Sequence, residues 1–217
     1  MQKVLVSPPA LPRVLDETGL ADPSVYLHSV SEVLEQLPVP AIEAVVTRLF
    51  QAYCQDRAVY IFGNGGSAAL ASHIACDLGK GTAGDSAKPF RVLSLTDNVS
   101  LMTAWANDTS YENVFAAQLR PLIHTGDIAL AISGSGNSPN VLSALSASRE
   151  AGGFNIGLTG FEGGKMKALC DLCITAPSDN MQQIEDSHVC VMHAVFLALR
   201  RSIRNSDLAL AAQRASA

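Results

Sequence analysis

The stretch "YIFGNGGSAALASHIACDL", residues 60–78, decides how this chain folds. Apolar residues lead into Gly63-Asn64-Gly65-Gly66-Ser67, and a helical pattern begins directly afterwards. A short strand, a glycine-rich turn and a helix in this order open a parallel α/β unit. The helix carries His73 and Asp77, which are four residues apart and therefore share one face. The stretch is either an ordinary strand–turn–helix corner or a phosphate cradle with a catalytic group above it.

Short apolar runs like the one in this stretch recur along the chain. They are too short for helices and lack the alternation of half-exposed strands, so they predict strands covered on both faces. The runs lie at 58–63, 90–95, 127–133, 154–159 and 171–176. Helical patterns separate them at 66–79, at 98–120 in one or two pieces, at 138–151 and at 163–169. We therefore predict an α/β fold, a three-layer α/β/α sandwich with a five-stranded parallel sheet.

Further helices flank this alternating region. Two are predicted before it, at Pro23 to Gln36 and Pro40 to Gln55, and a long closing helix is predicted at about 180–203. The predicted organisation is an N-terminal arm at 1–23, a single domain at 24–203 that includes the N-terminal helices, and a C-terminal tail at 204–217. Ligands of such parallel sheets bind beyond the carboxyl ends of the strands. The loops that follow each strand are therefore the candidates for a site.

Two of those loops are rich in serine and glycine. The first is Asn64-Gly65-Gly66-Ser67, and the second is Ser133-Gly134-Ser135-Gly136-Asn137-Ser138, followed by Pro139. Both lead into helix N-termini, where free N–H groups and the helix dipole favour an anion. Neither loop has the Lys-Ser/Thr pair of a nucleotide P-loop, and neither has the GxGxxG dinucleotide pattern. Hydroxyls and backbone N–H groups without arginine favour a small sugar phosphate, and we expect Ser67, Ser133, Ser135 and Ser138 to surround its phosphate.

Composition narrows the function classes. The net charge of −5 and a pI of about 5.5 argue against the usual basic nucleic-acid surface. No apolar run approaches the roughly 20 residues of a membrane span, and we expect a cytoplasmic protein with reduced thiols. Cys170 and Cys173 have a CxxC spacing that is also found in redox and zinc sites, but a second CxxC is missing.

Three motifs carry a resemblance to a known family. "FGNGGSAALASHIACDL", "ISGSGNSPNVLSAL" and "LTGFEGGKM" resemble the sugar isomerase (SIS) domain and, more narrowly, the phosphoheptose isomerases. The resemblance covers roughly residues 25–203 and implies a flavodoxin-like fold, a homotetramer with helices 24–56 between subunits, and a zinc ion. It implies an enzyme that converts sedoheptulose 7-phosphate to a heptose 7-phosphate through an enediol, for cell-surface heptose.

The resemblance also implies the residues of the site. His73, Asp77, Glu185 and His193 correspond to zinc ligands, although Asp77 stands where the family usually has Glu and Glu185 where it has Gln. Asp77 or Glu185 is the expected base, and His193 the partner acid. Asn64, Gly65, Gly66, Ser67, Asp108, Ser133, Gly134, Ser135, Ser138 and Glu185 are the expected substrate contacts. Eight helical residues rise about 12 Å, so Glu185 and His193 share a metal only by reaching towards each other.

Two other functions stay open from the sequence. One is a different phosphosugar isomerase on the same fold. The other is a non-catalytic module that senses a phosphosugar or binds a protein, as in a bacterial relative that binds the replication initiator. Such a module has no need of both His73 and His193. His188 lies about 140° from His193 around the helix, so it is expected to matter less.

Overall fold

The computed structural model describes residues 22–83 and 88–215 of the 217-residue chain. Most of the predicted N-terminal arm, residues 1–21, lies outside the described residues. Within them, five strands form one sheet in the order β2-β1-β3-β4-β5, and every neighbouring pair is parallel. The strands are β1 Val59–Gly63, β2 Val92–Ser94, β3 Ile128–Ile132, β4 Phe154–Thr159 and β5 Leu172–Thr175. The predicted parallel sheet and its five strands are confirmed.

Helices cover both faces of this sheet. They are α1 Pro23–Glu35, α2 Val39–Cys54, α3 Gly66–Gly81, α4 Val99–Asp108, α5 Ala116–Leu119, α6 Pro139–Glu150 and α7 Met181–Ala215. One buried cluster joins the sheet to α2, α3 and α7, and a second joins it to α5 and α6. The three-layer sandwich is therefore confirmed, with the core divided between the two faces.

Local sequence explains where several helices begin. The Asp22 side chain accepts a hydrogen bond from Ser24 N at the start of α1, and the Asn98 side chain does the same for Leu101 N in α4. Pro139 is the first residue of α6, where its missing N–H costs no hydrogen bond. Such caps fix the loops that precede the helices.

Two elements differ from the sequence prediction, whereas the region 98–120 forms two helices joined by a 3₁₀ turn at Tyr111–Asn113, which is one of the two forms predicted. The predicted helix at 163–169 is a 3₁₀ turn at Lys165–Leu169. The closing helix α7 continues to Ala215, whereas it was predicted to end near 203. Its last turns were predicted to be a tail, although the segment "LALAAQRA" is rich in residues that favour helices.

The sheet places β1 and β3 side by side, with β2 outside β1. This is the point at which the strand order reverses, and a crevice forms there at the carboxyl edge of such sheets. The loops that follow β1 and β3 are the two serine–glycine loops. They therefore meet at one edge of the molecule.

Candidate functional site

The two serine–glycine loops are joined by a pair of amide side chains. Asn64 donates to Asn140 Oδ1 over 2.9 Å, and Asn140 donates back to Asn64 Oδ1 over 2.8 Å. The Tyr111 hydroxyl also donates to Asn64 Oδ1, at 2.9 Å. The amide of Asn64 thus already has protein partners on both atoms, so a substrate contact of this residue would rest on its backbone or on the second N–H of Nδ2. Asn140 and Tyr111 were not among the predicted residues, because their pairing depends on two distant segments meeting.

Gly63, at the end of β1, is glycine because the backbones of β1, β3 and the start of α3 approach closely there. A Cβ on Gly63 would lie 2.6 Å from the Ile132 carbonyl oxygen and 2.7 Å from Ser67 Cβ. Only glycine lets β1, β3 and the first turn of α3 come this close. Ser67 is consequently buried at the start of α3, where helix N–H groups are unpaired.

The second loop folds tightly on itself. The Ser133 and Ser138 hydroxyl oxygens are 3.2 Å apart, and Ser135 Oγ accepts a hydrogen bond from Asn137 N at 3.2 Å. Ser138 directly precedes α6 and Ser133 is buried. Two hydroxyls of the predicted phosphate site are therefore neighbours. That all four serines surround one phosphate stays a prediction.

The segment "GFEGGKM", residues 160–166, forms a third loop that packs against the second serine–glycine loop. Gly136 has φ +63°, and a Cβ there would lie 2.2 Å from the Gly163 carbonyl oxygen. Gly164 has φ +54°, and its Cβ would meet the carbonyl oxygens of Ser135 and Gly136 at 2.6 Å. The "GFEGGKM" segment thus packs its backbone directly against the serine–glycine loop, which explains why both segments need glycine.

Three of the predicted chemical residues come together between α3 and α7. His73 Nε2 lies 2.9 Å from His193 Nε2, and Asp77 Oδ2 lies 3.4 Å from His73 Nε2 and 4.0 Å from His193 Nε2. The two imidazole side chains are about half exposed, at 52% and 46%, and the carboxylate is 26% exposed. A solvent-facing trio of two imidazoles and one carboxylate is a donor set that suits a divalent metal.

Glu185 is not part of this trio. Its carboxylate instead lies against the first residue of α3, where a Cβ on Gly66 would be 2.9 Å from Oε1. The helices α3 and α7 run side by side. Glu185 therefore contacts the start of α3, and His193 contacts His73, two turns further along α3. Glu185 would have to leave Gly66 to reach the trio. Its predicted role as a fourth metal ligand therefore stays a prediction.

A cavity of about 170 Å³ lies where Glu185 meets the first serine–glycine loop. It is lined by Gly66, Ser67, Leu70, Ile132, Glu185, Asp186, His188 and Val189. The cavity is thus bounded by the buried serine of the loop on one side and by polar side chains of α7 on the other. This is the position in which a group attached to a loop-bound phosphate would lie.

His188 lies on the buried side of α7. Only 1% of it is exposed, and Nε2 is 3.0 Å from the Thr159 carbonyl oxygen at the end of β4. Burial lowers the pKa of this imidazole, and its hydrogen bond to the Thr159 carbonyl opposes that shift in part. The prediction that His188 points away from His193 is confirmed.

Helix α1 reaches the site through α7. The Tyr26 hydroxyl donates to Asp186 Oδ2 at 2.5 Å, and Gln183 Nε2 donates to Ser29 Oγ at 2.8 Å. Burial, together with the neighbouring carboxylates of Asp186 and Glu185, raises the pKa of Tyr26 to about 12. Sequence reasoning missed this contact because nothing in α1 itself marks Tyr26 as different from other residues of an amphipathic helix.

The remaining candidates lie apart from the trio. Asp108 is the last residue of α4, is exposed, and accepts a hydrogen bond from the Asn107 amide at 2.9 Å. Cys170 and Cys173 both lie over Gly157 of β4, and the Cys170 thiol lowers the pKa of Cys173 to about 7. Within the described residues, neither cysteine belongs to a group of three or more potential metal ligands.

Comparison with known proteins gives one consistent result. The sequence profile of the SIS domain matches residues 25–160. A protein named phosphoheptose isomerase from Pelobacter propionicus is 38% identical over 156 residues, which is 72% of this chain and 82% of that protein. The phosphoheptose isomerase of Rhodospirillum rubrum is 45% identical over 135 residues, or 62% of this chain and 71% of that protein. The structure of the phosphoheptose isomerase from Neisseria gonorrhoeae matches with a TM-score of 0.76 at 29% identity, covering 81% of this chain and 95% of that one.

Proposed function

This chain belongs to the SIS-domain family and, within it, to the phosphoheptose isomerases, and we propose that it converts sedoheptulose 7-phosphate to D-glycero-D-manno-heptose 7-phosphate. The product would supply heptose for cell-surface glycans. We further propose that the reaction takes place in the cytoplasm. Within the described residues, no helix is long and apolar enough to cross a membrane.

The observation that carries the proposal is the spacing between the loops and the trio His73, Asp77 and His193. Seven residues of α3 separate Gly66 from His73, which is about 10 Å along the helix axis. An open-chain heptose phosphate held by the loops at one end is long enough to bring its carbonyl end to the trio. The same spacing leaves Glu185 beside the carbons nearest the phosphate.

The isomerisation needs a base and an acid at the carbonyl end. The base removes the proton from the carbon next to the carbonyl, an enediol forms, and a proton returns to the neighbouring carbon. Asp77 is the base that this spacing favours, because Oδ2 faces the two histidines and Oδ1 is left for the substrate. His193, exposed beside it, is the proposed partner acid; with Nε2 on a metal, only its other ring nitrogen, Nδ1, would exchange protons with the sugar oxygens. Glu185 contacts a hydroxyl nearer the phosphate.

The trio fits a divalent metal, and we propose zinc. Zinc–nitrogen and zinc–oxygen bonds of about 2.0–2.2 Å put neighbouring ligands roughly 3.3–3.6 Å apart in a tetrahedral site. The three measured separations, 2.9, 3.4 and 4.0 Å, lie on both sides of that range. Small side-chain rotations would bring His73, Asp77 and His193 to it. A bound zinc ion would polarise the substrate carbonyl.

The test is an isomerisation assay on metal-stripped and metal-restored protein with a panel of ketose and aldose phosphates. We expect turnover of sedoheptulose 7-phosphate that zinc restores, and incorporation of solvent deuterium next to the carbonyl. His73→Ala should lose both zinc binding and turnover. His124→Ala, at the amino end of β3, should keep both.

The competing function is a module that binds a phosphosugar without converting it. It predicts binding of sedoheptulose 7-phosphate with neither turnover nor deuterium incorporation. That result, obtained with zinc present, would replace the enzyme proposal. Turnover of another sugar phosphate alone would retain the isomerase and change its substrate.

A further inference from the structure

His188 is the one histidine of α7 that the proposed chemistry leaves unused. It lies on the same helix as Glu185 and His193 but faces the sheet, where it is 1% exposed. Its Nε2 is 3.0 Å from the carbonyl oxygen of Thr159, the last residue of β4. The same carbonyl already accepts the sheet hydrogen bond from Ala176 N at 2.7 Å. His188 thus uses the second lone pair of a carbonyl at the carboxyl edge of the sheet.

This environment selects one tautomer of the imidazole. Because a carbonyl oxygen only accepts, Nε2 must carry the proton that is donated to Thr159. The other ring nitrogen, Nδ1, is buried and has no hydrogen-bond partner among the described parts of the chain. An apolar side chain would fill the position without leaving an acceptor unpaired. The feature that distinguishes histidine from an apolar residue here is therefore its Nε2–H donor.

Thr159 connects His188 to the second serine–glycine loop, because its carbonyl binds His188 and its hydroxyl binds the loop. Its hydroxyl donates to the Gly134 carbonyl at 3.3 Å, and Gly160 N donates to the same carbonyl at 2.8 Å. Gly134 also packs against α7, since a Cβ there would lie 2.5 Å from Met181 Sδ and 3.6 Å from Ile184. The loop is consequently held between the end of β4 and the first turn of α7.

We propose that His188 is a positioning residue that holds the serine–glycine loop in register with the helix that carries Glu185 and His193. It acts through the Thr159 carbonyl, and it also lines the cavity beside Glu185. This role rests on the proposed function, because it assumes that the loop binds the phosphate of the sugar. Without the Nε2–H donor, the end of β4 and the loop on it lose one of the contacts that fix them relative to α7. The phosphate then binds more weakly, while the acid and base on α3 and α7 keep their places.

Three replacements separate this role from simple packing. His188→Gln keeps an N–H donor at about the distance of Nε2, His188→Asn keeps a polar group only near the position of Nδ1, and His188→Leu keeps volume alone. We expect KM for sedoheptulose 7-phosphate to stay within about threefold of wild type in His188→Gln. It should rise about tenfold or more in His188→Asn and His188→Leu, with kcat changed less. Thr159→Val, which removes the hydroxyl that contacts Gly134, should raise KM in the same direction.

The same comparison is made by calorimetry in a His193→Ala background, so that affinity for sedoheptulose 7-phosphate is measured without turnover. If wild type fails to isomerise but the four variants rank as expected in affinity, the proposed reaction fails and the positioning role stands. Wild-type affinity in His188→Leu would overturn the positioning role, because packing alone would then suffice. Equal weakening in His188→Gln and His188→Leu would overturn it as well, because the donor would then be irrelevant. If His188→Asn does not fold, Thr159→Val and His188→Gln still decide between these outcomes.

Discussion

Two histidines from different helices meet at their Nε2 atoms, and we expect that His193 can be removed without loss of substrate binding. His193→Ala should lower kcat about 10²- to 10⁴-fold, because it removes a proton-transfer partner and one of the three proposed zinc ligands. The affinity for sedoheptulose 7-phosphate should change by only a few-fold, since the phosphate loops lie two helical turns away. Rapid-quench turnover and calorimetric binding on the same preparations measure the two effects.

The control for this experiment is a histidine that lies outside the site. His188 was the obvious choice from sequence because it points away from His193, but its burial and its bond to Thr159 make it unsuitable. His124 is 78% exposed and lies before β3, at the opposite edge of the sheet. His124→Ala should therefore keep full turnover. Wild-type turnover in His193→Ala would instead contradict the catalytic role of His193 and, with it, the enzyme proposal.

At the scale of elements, the contact between the second serine–glycine loop and the "GFEGGKM" loop should be a major determinant of stability. Gly136→Ala would force an L residue into φ +63° and drive its Cβ to 2.2 Å from a backbone oxygen that has no side-chain freedom to move. We expect a loss of at least about 2 kcal/mol in unfolding free energy. Thermal unfolding should show a midpoint several degrees lower.

The matched variant is Gly79→Ala in α3. Gly79 has helical φ, and its Cβ would meet only a side-chain methyl of Val92 at 3.3 Å. Alanine also favours the helix by up to about 1 kcal/mol over glycine. The midpoint of Gly79→Ala should thus be unchanged or slightly higher. Equal midpoints for the two variants would show that the loops do not depend on this contact.

Elements with a strong local signal were predictable from sequence, and contacts between distant elements were not. The apolar runs that became β1 and β3 are wholly buried, so their hydrophobicity predicted them well. The strand β2 has only three residues and lies at the sheet edge, where half-exposed positions weaken the pattern. The pairing of His73 with Asp77 followed from helix geometry alone. The location of Glu185 against Gly66 did not, because it depends on how α3 and α7 align.

At the scale of the whole molecule, exposed apolar side chains occur on several elements, and two of these places bear on assembly. On α1, Val25 and Leu27 are 46% and 68% exposed and lie about 200° apart around the helix. Beside the edge strand β2, Leu93 and Val99 border an open cavity of about 780 Å³. None of the predicted site residues lines that larger cavity, although it exceeds the one beside Glu185 in volume. Both apolar surfaces are compatible with burial between subunits.

We therefore keep the prediction of a homotetramer in which the N-terminal helices pack between subunits. Light scattering at micromolar concentration should give four times the chain mass of 22.8 kDa. Leu27→Glu should lower that mass, because a charge would be buried in an apolar contact without a partner. Glu32→Lys also changes charge on α1 but lies about 140° around the helix from Leu27, so it should keep the tetramer. A wild-type monomer would contradict the assembly, whereas a tetramer unaffected by Leu27→Glu would move the interface from α1 to the surface beside β2.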